Sequence, residues 1–532
     1  MVAQVTSAAS ELVTPRVPWS YIAPLLILMV GGVVMLTVVS LVKGKLPKGV
    51  YAGYTVAVAS AAFVWNVWLW HQVHNQSDAA KGPIAALRGA LVIDGFSVFL
   101  VGLLCISVIG AALLADGYLR REGLDGPELY VLLLLSASGG GVMASAGDLI
   151  VLFVGLEILS IAAYVMAAMH SRRVSSQEAG IKYFVLGAFA SAFLLYGIAL
   201  TYGATGSTNL ARIATYLSDT VITENGMLLA GMALLMAGFG FKVAAVPFHA
   251  WTPDVYQGSP SPVVAFMASG VKIGAFAGML RVFVVTLGSQ QNLWKPMVVG
   301  LAVASLVVGS VMAVVQTNVK RMMAYSSINH AGFILLGVEA ATARGTSAAL
   351  FYLGTYTFMV LGTFGVITVA GRRGDALHSL TDYQGLSRSR PVLALGFTVL
   401  LLAQAGTPFT GGFLAKLGVV SAAVDTHDYG LAVVAMVTAV ISAFLYLRII
   451  VSMYFGGGDH VGVPDAADAA DAADAADVAG GAADPPIRIA TGALITVSVA
   501  VVATLVIGIV PGFFSDMTRH ATATLVTPEP GR

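Results

Sequence analysis

Hydrophobic residues in this chain occur in long uninterrupted runs, and polar residues are mostly confined to the segments between them. The first run, 19–42, is longer than the roughly 7–15 apolar residues of a signal peptide, and no small-residue cleavage site follows it. A helix that crosses a bilayer needs at least about 17 apolar residues. Runs of that length occur at 19–42, 50–70, 90–115, 129–146, 149–169, 179–203, 227–249, 262–287, 297–316, 322–342, 348–370, 392–419, 429–455 and 487–511. The pattern predicts an all-α polytopic membrane protein with about 14 transmembrane helices.

Charge in the loops predicts how these helices are oriented. Cytoplasmic loops of membrane proteins carry an excess of lysine and arginine. Loops after odd-numbered spans hold thirteen such residues, among them Arg172, Arg173, Lys320 and Arg321, whereas the opposite side holds eight. We therefore expect both termini to face outside, with the lipid bilayer as the surroundings of the chain.

Two proline positions divide the predicted helices into repeats. Span 7 is interrupted near Pro247, and span 12 is interrupted in the segment 406–412, each at a Pro-Phe pair. Discontinuous helices at corresponding positions of two halves are typical of transporters that carry ions. The breaks lie five spans apart, so the chain is predicted to contain two inverted five-helix repeats, spans 4–8 and 9–13.

The repeats suggest a division of the whole chain. A tail and spans 1–3 occupy 1–128, the repeats occupy 129–287 and 297–455, an acidic loop occupies 456–486, and span 14 with a C-terminal tail occupies 487–532. The loop repeats Asp-Ala-Ala, and a spacing of three carries its carboxylates around a helix instead of onto one face. It is interpreted as a solvated low-complexity linker, with a docking tail for a basic partner as the alternative.

Four charged residues lie inside predicted spans: Glu157, Lys242, Lys272 and Lys416. Each costs about 2.5–3.5 kcal/mol at a bilayer centre unless it is paired, hydrated or neutralised. Burial lowers the pKa of a lysine and a nearby carboxylate raises it, so a moving carboxylate can make a lysine bind or release a proton. Intramembrane ionisable groups mark ion pathways, which favours proton transfer over the alternative of an inert Glu157–Lys242 pair.

Protons that move between lysines need relay groups. His330 lies beside Ser326 and Ser327, and His249 follows the first helix break. A histidine inside a membrane protein is either a proton shuttle or a packed hydrogen-bonding group, and both interpretations stay open for these two residues. The end carbonyls of the first half of span 7 favour a nearby cation, and Lys242 is the candidate.

Composition excludes several other functions. Only 10% of the 532 residues are charged, and the net charge of +1 offers no basic face for nucleic acid. Cys105 is the only cysteine, so this chain alone cannot hold an iron–sulfur cluster through cysteines. His71 and His74 are spaced as metal ligands would be on a helix, but no third ligand accompanies them, so no metal site is predicted.

The segment 247-PFHAWTPDVYQGSPSPV-263, flanked by Lys242 and Lys272, resembles the antiporter-like membrane subunits of respiratory complex I. Within that family, the Thr-Pro-Asp-Val-Tyr-Gln-Gly run and the lysine of 411-GGFLAK-416 are similar to the subunit N branch. The segments 152–160 and 316–333 agree with it, and the resemblance covers roughly 90–455.

The resemblance implies a proton-translocating membrane subunit of NADH:quinone oxidoreductase in a bacterial plasma membrane. It implies that Glu157 pairs with and gates Lys242, that Lys272 is the bridging lysine, that the proton leaves through Lys416, and that His330 lies on the connecting axis. FMN, iron–sulfur clusters and quinone are expected in or between other subunits, with no cofactor in this chain. The neighbouring membrane subunits are the expected partners. The Ala-, Gly- and Val-rich composition, in turn, suggests a GC-rich bacterium and menaquinone as the quinone.

Two other functions remain as alternatives. One is a subunit of a multisubunit Na⁺/H⁺ antiporter, a sister family with the same arrangement of lysine and glutamate. The other is a membrane scaffold whose buried charges are inert. Sodium-dependent exchange without NADH would support the first alternative, and full activity after apolar replacement of Lys242 or Glu157 would support the second.

Overall fold

Helices form nearly all of the computed structural model, as the apolar runs predict. The model describes residues 17–42, 47, 49–74, 83–220, 225–371, 373–375, 378–455, 489–523 and 525. The acidic Asp-Ala-Ala loop and the first 16 residues, for which sequence predictions were made, lie outside the described residues.

In the N-terminal half, most helices correspond to predicted spans. They are α1 (Trp19–Leu41), α2 (Val50–His74), α3 (Gly95–Glu122), α4 (Glu128–Ser145), α5 (Leu149–Ala167), α6 (Val174–Thr205), α7 (Leu210–Asp219), α8 (Gly226–Val243) and α9 (Trp251–Gly258). A short antiparallel hairpin, β1 (Ile84–Ala86) with β2 (Leu91–Ile93), departs from the all-α prediction and pairs Ile84 with Ile93.

In the C-terminal half, the helices surround one composite helix. They are α10 (Ser261–Thr286), α11 (Gln291–Val314), α12 (Val319–Glu339), α13 (Ala343–Ala370), α14 (Pro391–Ala405), α15 (Gly411–Asp425), α16 (Tyr429–Phe455), α17 (Thr491–Ile509) and α18 (Gly512–Ala523). Within α10, the segments Met267–Val271 and Leu280–Thr286 are π-helical. Short helical turns at Gly288–Gln290, Arg373–Asp375, Leu380–Tyr383 and Leu386–Ser389 complete the set.

Polar residues fix where several helices begin. The Asp94 carboxylate accepts the main-chain N–H of Ser97 at 2.8 Å, and the Ser97 hydroxyl completes a capping box at the start of α3. Asp148 caps α5, and Asn318 caps α12 by accepting the N–H of Arg321. These side chains satisfy main-chain donors that the first turn of a helix leaves without a partner.

Twelve of the described helices are long and apolar enough to cross a membrane, two fewer than the predicted number of spans. The predicted segment 322–342 folds as α12, which is long enough but carries many polar side chains in a buried position. The predicted segment 392–419 folds as two helices of 15 residues each, α14 and α15. The polytopic helical fold is confirmed, whereas the count of fourteen and the two repeats stay predictions.

Both predicted helix breaks are present. Helix α8 ends at Val243, the next residue Ala244 has a left-handed φ of 63° three residues before Pro247, and the chain resumes as the short helix α9. The second break begins at Gly406, with φ of 93°, between α14 and α15. A left-handed residue after the last turn ends a helix, and here both occur inside a predicted span.

Loops that follow odd-numbered predicted spans meet at one end of the molecule. The N–H of Gly374 donates to Glu122 Oε2 at 2.8 Å, and the Arg173 guanidinium donates to the main-chain oxygen of Asp375 at 3.1 Å. Lys320 Nζ donates to Asp375 Oδ2 at 3.1 Å. The loops after predicted spans 3, 5, 9 and 11 are therefore joined, as alternating helices require. Which end faces outside stays a prediction.

Asp375 is the centre of a buried cluster at this end. Its Oδ1 lies 2.9 Å from Nε2 of His378 and accepts the Ser261 hydroxyl, also at 2.9 Å. Burial alone would raise the pKa of Asp375, but the Lys320 ammonium and the His378 imidazole outweigh burial and hold this pKa well below its ordinary value. The cluster thus ties the loop after α13 to the starts of α10 and α12.

Replacing Asp375 by asparagine is expected to destabilise the protein by about 3–5 kcal/mol, because removing one partner of a buried ion pair leaves the other charge uncompensated. A carboxyl whose pKa is depressed on folding contributes stability above its unfolded pKa, about 3.9, and loses that contribution as the pH falls through the folded pKa. Acid sensitivity should therefore be reduced in Asp375→Asn.

Thermal unfolding of the purified assembly at several pH values would measure both effects. Asp516→Asn is a matched control, because Asp516 is 61% exposed and its ion pair with Arg519 spans 3.8 Å. If Asp375→Asn unfolds at the same temperature as the control variant, the cluster does not hold this end of the bundle together.

Candidate functional site

Four of the six predicted site residues lie in the interior of the helix bundle. Lys242 on α8 and Lys272 on α10 are each 3% exposed, His330 on α12 is 1% exposed, and Lys416 on α15 is 8% exposed. Glu157 on α5 is half-buried, and His249 is half-buried in the turn between α8 and α9. These three lysines and one histidine reach the interior from four different helices.

Lys242 lies in the last turn of α8, directly before the first break. Its Nζ donates a hydrogen bond of 2.9 Å to the Tyr164 hydroxyl and lies 4.6 Å from the centre of the Tyr164 ring. The rings of Tyr183 and Phe241 are 5.3 and 5.7 Å from the same nitrogen. Aromatic faces attract a cation through their quadrupole, so this cage can hold a charged lysine without a carboxylate in contact.

Glu157 does not form an ion pair with Lys242 in this structure. Among the described residues, the ion pairs shorter than 4.0 Å do not include these two side chains, and Glu157 Oε1 is buried without a hydrogen-bond partner. The inert pair considered as an alternative from the sequence is therefore not formed in this conformation. Pairing of Glu157 with Lys242 during function stays a prediction.

The first helix break brings the aromatic cage together. Trp251, the first residue of α9, donates its indole N–H to the main-chain oxygen of Phe241 at 3.0 Å. Its ring stacks on Tyr183 with centroids 4.4 Å apart. The turn at Ala244 thus brings the start of α9 against Phe241 at the end of α8 and against Tyr183, two members of the cage around Lys242. A continuous helix would place Trp251 more than two turns away.

Lys272 directly follows the π-helical segment Met267–Val271 of α10. Its Nζ donates to the main-chain oxygen of Ser327 at 2.7 Å and to the Ser327 hydroxyl at 2.6 Å, and it lies 5.1 Å from the centre of the Tyr356 ring. The hydroxyl of Tyr256 is 3.3 Å from the Ser327 hydroxyl. Single π-helical turns are frequent at functional sites because they change where a side chain points.

A separate set of hydrogen bonds connects Ser326, the residue before Ser327, with His330. The adjacent Ser326 hydroxyl is 2.6 Å from the Tyr446 hydroxyl, which lies 3.2 Å from Nε2 of His330. Nδ1 of His330 lies 2.7 Å from the Tyr352 hydroxyl. Hydroxyl groups both donate and accept, so this arrangement can pass a proton between Ser326 and His330 in either direction.

Lys416 lies beside the second helix break. Its Nζ donates to the main-chain oxygen of Ala405, the last residue of α14, at 2.9 Å, and it lies 5.0 Å from the centre of the Phe333 ring. The carbonyls that end a helix carry partial negative charge and favour a cation. This interaction was predicted for Lys242, where the partner is instead Tyr164, and the structure places it at Lys416.

Several residues of the site were not predicted from the sequence. They are Tyr164, Tyr183 and Trp251 around Lys242, and Tyr356, Tyr446 and Gln404 near Lys272 and His330. Gln404 receives a hydrogen bond of 3.4 Å from the Ser326 hydroxyl and donates to Thr363 at 2.7 Å. Tyrosine and tryptophan are also common at membrane surfaces, so their presence in a span gave no clear signal.

The fold and the site agree with a family of membrane subunits. Residues 146–442 match the family model described as NADH:quinone oxidoreductase/Mrp antiporter, a transmembrane family. Together with the interrupted helices and buried lysines, this match defines the protein as a polytopic antiporter-like membrane subunit. A relative from Trichlorobacter lovleyi, named NADH-quinone oxidoreductase subunit N, is 44% identical over 376 residues, which cover 71% of this chain and 77% of the relative. The chain belongs to the NADH-quinone oxidoreductase subunit N family.

Solved structures show the same fold. A chain of respiratory complex I from Thermus thermophilus, determined with bound aureothin, has 31% sequence identity and a TM-score of 0.72, with 93% of this chain and 98% of that chain covered. A chain of the Mrp complex from Dietzia sp. DQ12-45-1b has a TM-score of 0.80 at 23% identity, with 96% of this chain and 98% of that chain covered. At that identity, the second likeness supports the fold alone.

Proposed function

We propose that this chain is a proton-translocating membrane subunit of a bacterial NADH:quinone oxidoreductase. The observation that supports the proposal is the row of buried lysines, each held by neutral groups, in a chain that belongs to the subunit N family. A lysine held by hydroxyls, carbonyls and aromatic rings has no permanent counter-charge, so a change in its surroundings can change its proton occupancy. Such a residue suits proton transfer better than a fixed structural pair does.

Within this proposal, Glu157 gates Lys242, and protons pass between Lys242, Lys272, His330 and Lys416. The contacts that favour the middle of this route are those from Lys272 through Ser327, and from Ser326 through Tyr446 to His330. Lys416 would exchange protons at the second helix break. His249 stays a candidate relay group, since it is half-buried directly after the first break.

We also propose which roles belong to the other subunits of the assembly. Electron transfer from NADH through FMN and iron–sulfur clusters to quinone is assigned to other subunits, and no cofactor or metal is assigned to this chain. Other membrane subunits of the enzyme are the proposed partners. Exposed apolar side chains on α5, α6 and α16, such as Ile161, Phe189 and Val440, suit contact with lipid or with such partners. Both termini are proposed to face outside the plasma membrane.

A direct experiment uses inverted membrane vesicles that contain the complete enzyme. Addition of NADH should acidify the vesicle interior at the same rate with and without sodium ions. If a sodium gradient alone, without NADH, drives proton exchange that depends on this chain, the protein is an antiporter subunit instead. NADH oxidation without any acidification in sealed vesicles would contradict both functions.

A further inference from the structure

The hydroxyl of Tyr164 stands where a carboxylate partner of Lys242 was expected. It accepts the hydrogen bond from Lys242 at 2.9 Å, and Tyr164 is only 5% exposed. Glu157 lies seven residues earlier on α5, which places both side chains on one face of the helix, two turns apart. The Glu157 carboxylate is close enough to act electrostatically on both Tyr164 and Lys242.

One buried acceptor on α5 lacks a partner. Glu157 Oε1 is buried and has no hydrogen-bond partner in the described part of the chain. A buried acceptor without a partner is unfavourable, so a change that brings a donor to it is favoured. The Lys242 ammonium, on which the Glu157 carboxylate acts electrostatically, is the donor that the proposed gating would bring.

Helix α6 holds the Tyr164 ring in position. A Cβ added at Gly187 would overlap the Tyr164 hydroxyl oxygen and would lie 2.5 Å from Cζ of the same ring. Gly187 is one turn before Ser191, so both residues are on the α6 face that contacts α5. The absence of a side chain at Gly187 therefore gives the hydroxyl the space in which it meets Lys242.

Tyr164 also lines a groove at the end of the bundle where the odd-numbered loops meet. The groove has a volume of about 610 Å³ and is lined mainly by apolar side chains, including Leu129, Met169 and Phe184 beside Tyr164. A tyrosine in this place contributes in two ways: its ring lines the groove, and its hydroxyl accepts the hydrogen bond from Lys242. Phenylalanine would keep the first property and lose the second.

We propose that Tyr164 is a positioning residue that holds Lys242 out of contact with Glu157, so that the Lys242–Glu157 ion pair forms only when the Lys242–Tyr164 hydrogen bond opens. This inference rests on the proposed function. In this gate, Lys242 binds one of two partners on α5, either the neutral Tyr164 hydroxyl or the Glu157 carboxylate. Loss of the hydroxyl removes the neutral partner and favours pairing with Glu157, and the paired lysine then keeps its proton.

The first test is Tyr164→Phe in the complete enzyme, which retains the ring and its contact with the ammonium. NADH-driven acidification at pH 7 should fall about tenfold, because a hydrogen bond to a charged group contributes about that factor or more. The pH profile of the remaining activity should shift to higher pH, because a lysine paired with a carboxylate releases its proton less readily. A residue that only fills space would leave both quantities unchanged.

The second test is Gly187→Ala, which displaces the hydroxyl without removing any polar group. It should shift the pH profile in the same direction, and in the Tyr164→Phe background it should add no further shift, as expected for residues that act through one contact. Gly203→Ala on the same helix is the control, because its Cβ would meet only the flexible side chain of Met227, at 2.8 Å from the sulfur. If Tyr164→Phe fails to assemble, Gly187→Ala still tests the proposal.

A Tyr164→Phe enzyme with wild-type rate and pH profile would overturn the positioning role. Lys242→Ala separates this failure from failure of the proposed function. If Lys242→Ala abolishes acidification while Tyr164→Phe keeps the wild-type rate and pH profile, only the positioning role is wrong. If Lys242→Ala also acidifies at the wild-type rate, the proposed function is wrong as well.

Discussion

Lys242→Ala is expected to lower NADH-driven acidification of inverted vesicles about 100-fold, and NADH oxidation should fall with it. A positioned proton-transfer group typically contributes a factor of about 100 or more. The lysine is 3% exposed and donates to Tyr164, so no water-exposed group can take its place. In a tightly coupled enzyme, electron transfer slows when the proton path is blocked.

The control for this variant is Lys182→Ala. Lys182 lies near the start of α6, is 41% exposed and pairs with Glu178 and Asp254. Its replacement removes the same ammonium group outside the buried row and should leave acidification at the wild-type rate. Native electrophoresis establishes that both variants assemble. Equal rates for the two lysine variants would show that Lys242 is a structural residue.

Lys272→Ala is the second variant with a large expected effect, also about 100-fold on acidification. The variant leaves the Ser327 hydroxyl and main-chain oxygen without their ammonium donor. In the proposed route Lys272 lies between Lys242 and His330, so its loss is expected to interrupt the route in the middle. Acidification and NADH oxidation, measured together, check the prediction.

Lys272→Ala also allows a comparison with the ends of the route. The double variant with Lys242→Ala should be no slower than either single variant, because residues of one path act as a unit. Losses that multiply would show that the two lysines serve independent paths. An unchanged rate for Lys272→Ala would remove this residue from the route and leave the hydrogen bonds around Ser327 as packing interactions.

The sequence predicted the class of fold because bilayer crossing imposes a length and a composition on each helix. It also predicted both helix breaks, since Pro247 and the segment 406–412 cannot continue a regular helix. The count of fourteen spans stays a prediction: twelve described helices are apolar enough to cross a membrane, and α12, which was counted as a span, carries buried polar side chains. Hydropathy alone does not distinguish a polar helix that is buried among other helices from a helix that does not cross the membrane.

The candidate site was predicted as a set of residues but not as a set of contacts. A charged residue inside an apolar run is conspicuous in the sequence. Lys242, Lys272 and Lys416 could therefore be predicted as site residues. Their partners come from distant parts of the chain: Tyr164 is 78 residues from Lys242, and Ser327 is 55 residues from Lys272. Only tertiary packing decides which tyrosine or serine among many meets an ammonium group.

The Asp375 cluster was missed for a different physical reason. Asp375 and Lys320 lie in loops between apolar runs, where charged residues are normally solvated, yet both are completely buried. The loops after several spans converge on one another and exclude water from these side chains. Charge in a loop was interpreted only as a marker of orientation, although here it also joins the loops.

In the proposed function, the buried lysines of this chain bind and release protons during NADH oxidation. Comparison of Lys242→Arg with Lys242→Ala in inverted vesicles tests it most directly, because arginine keeps the positive charge and the hydrogen-bond donors but does not release its proton in proteins. Both variants are expected to assemble and to lose NADH-driven acidification. Wild-type acidification by Lys242→Arg would contradict the proposed function, because a fixed charge would then be sufficient at this position.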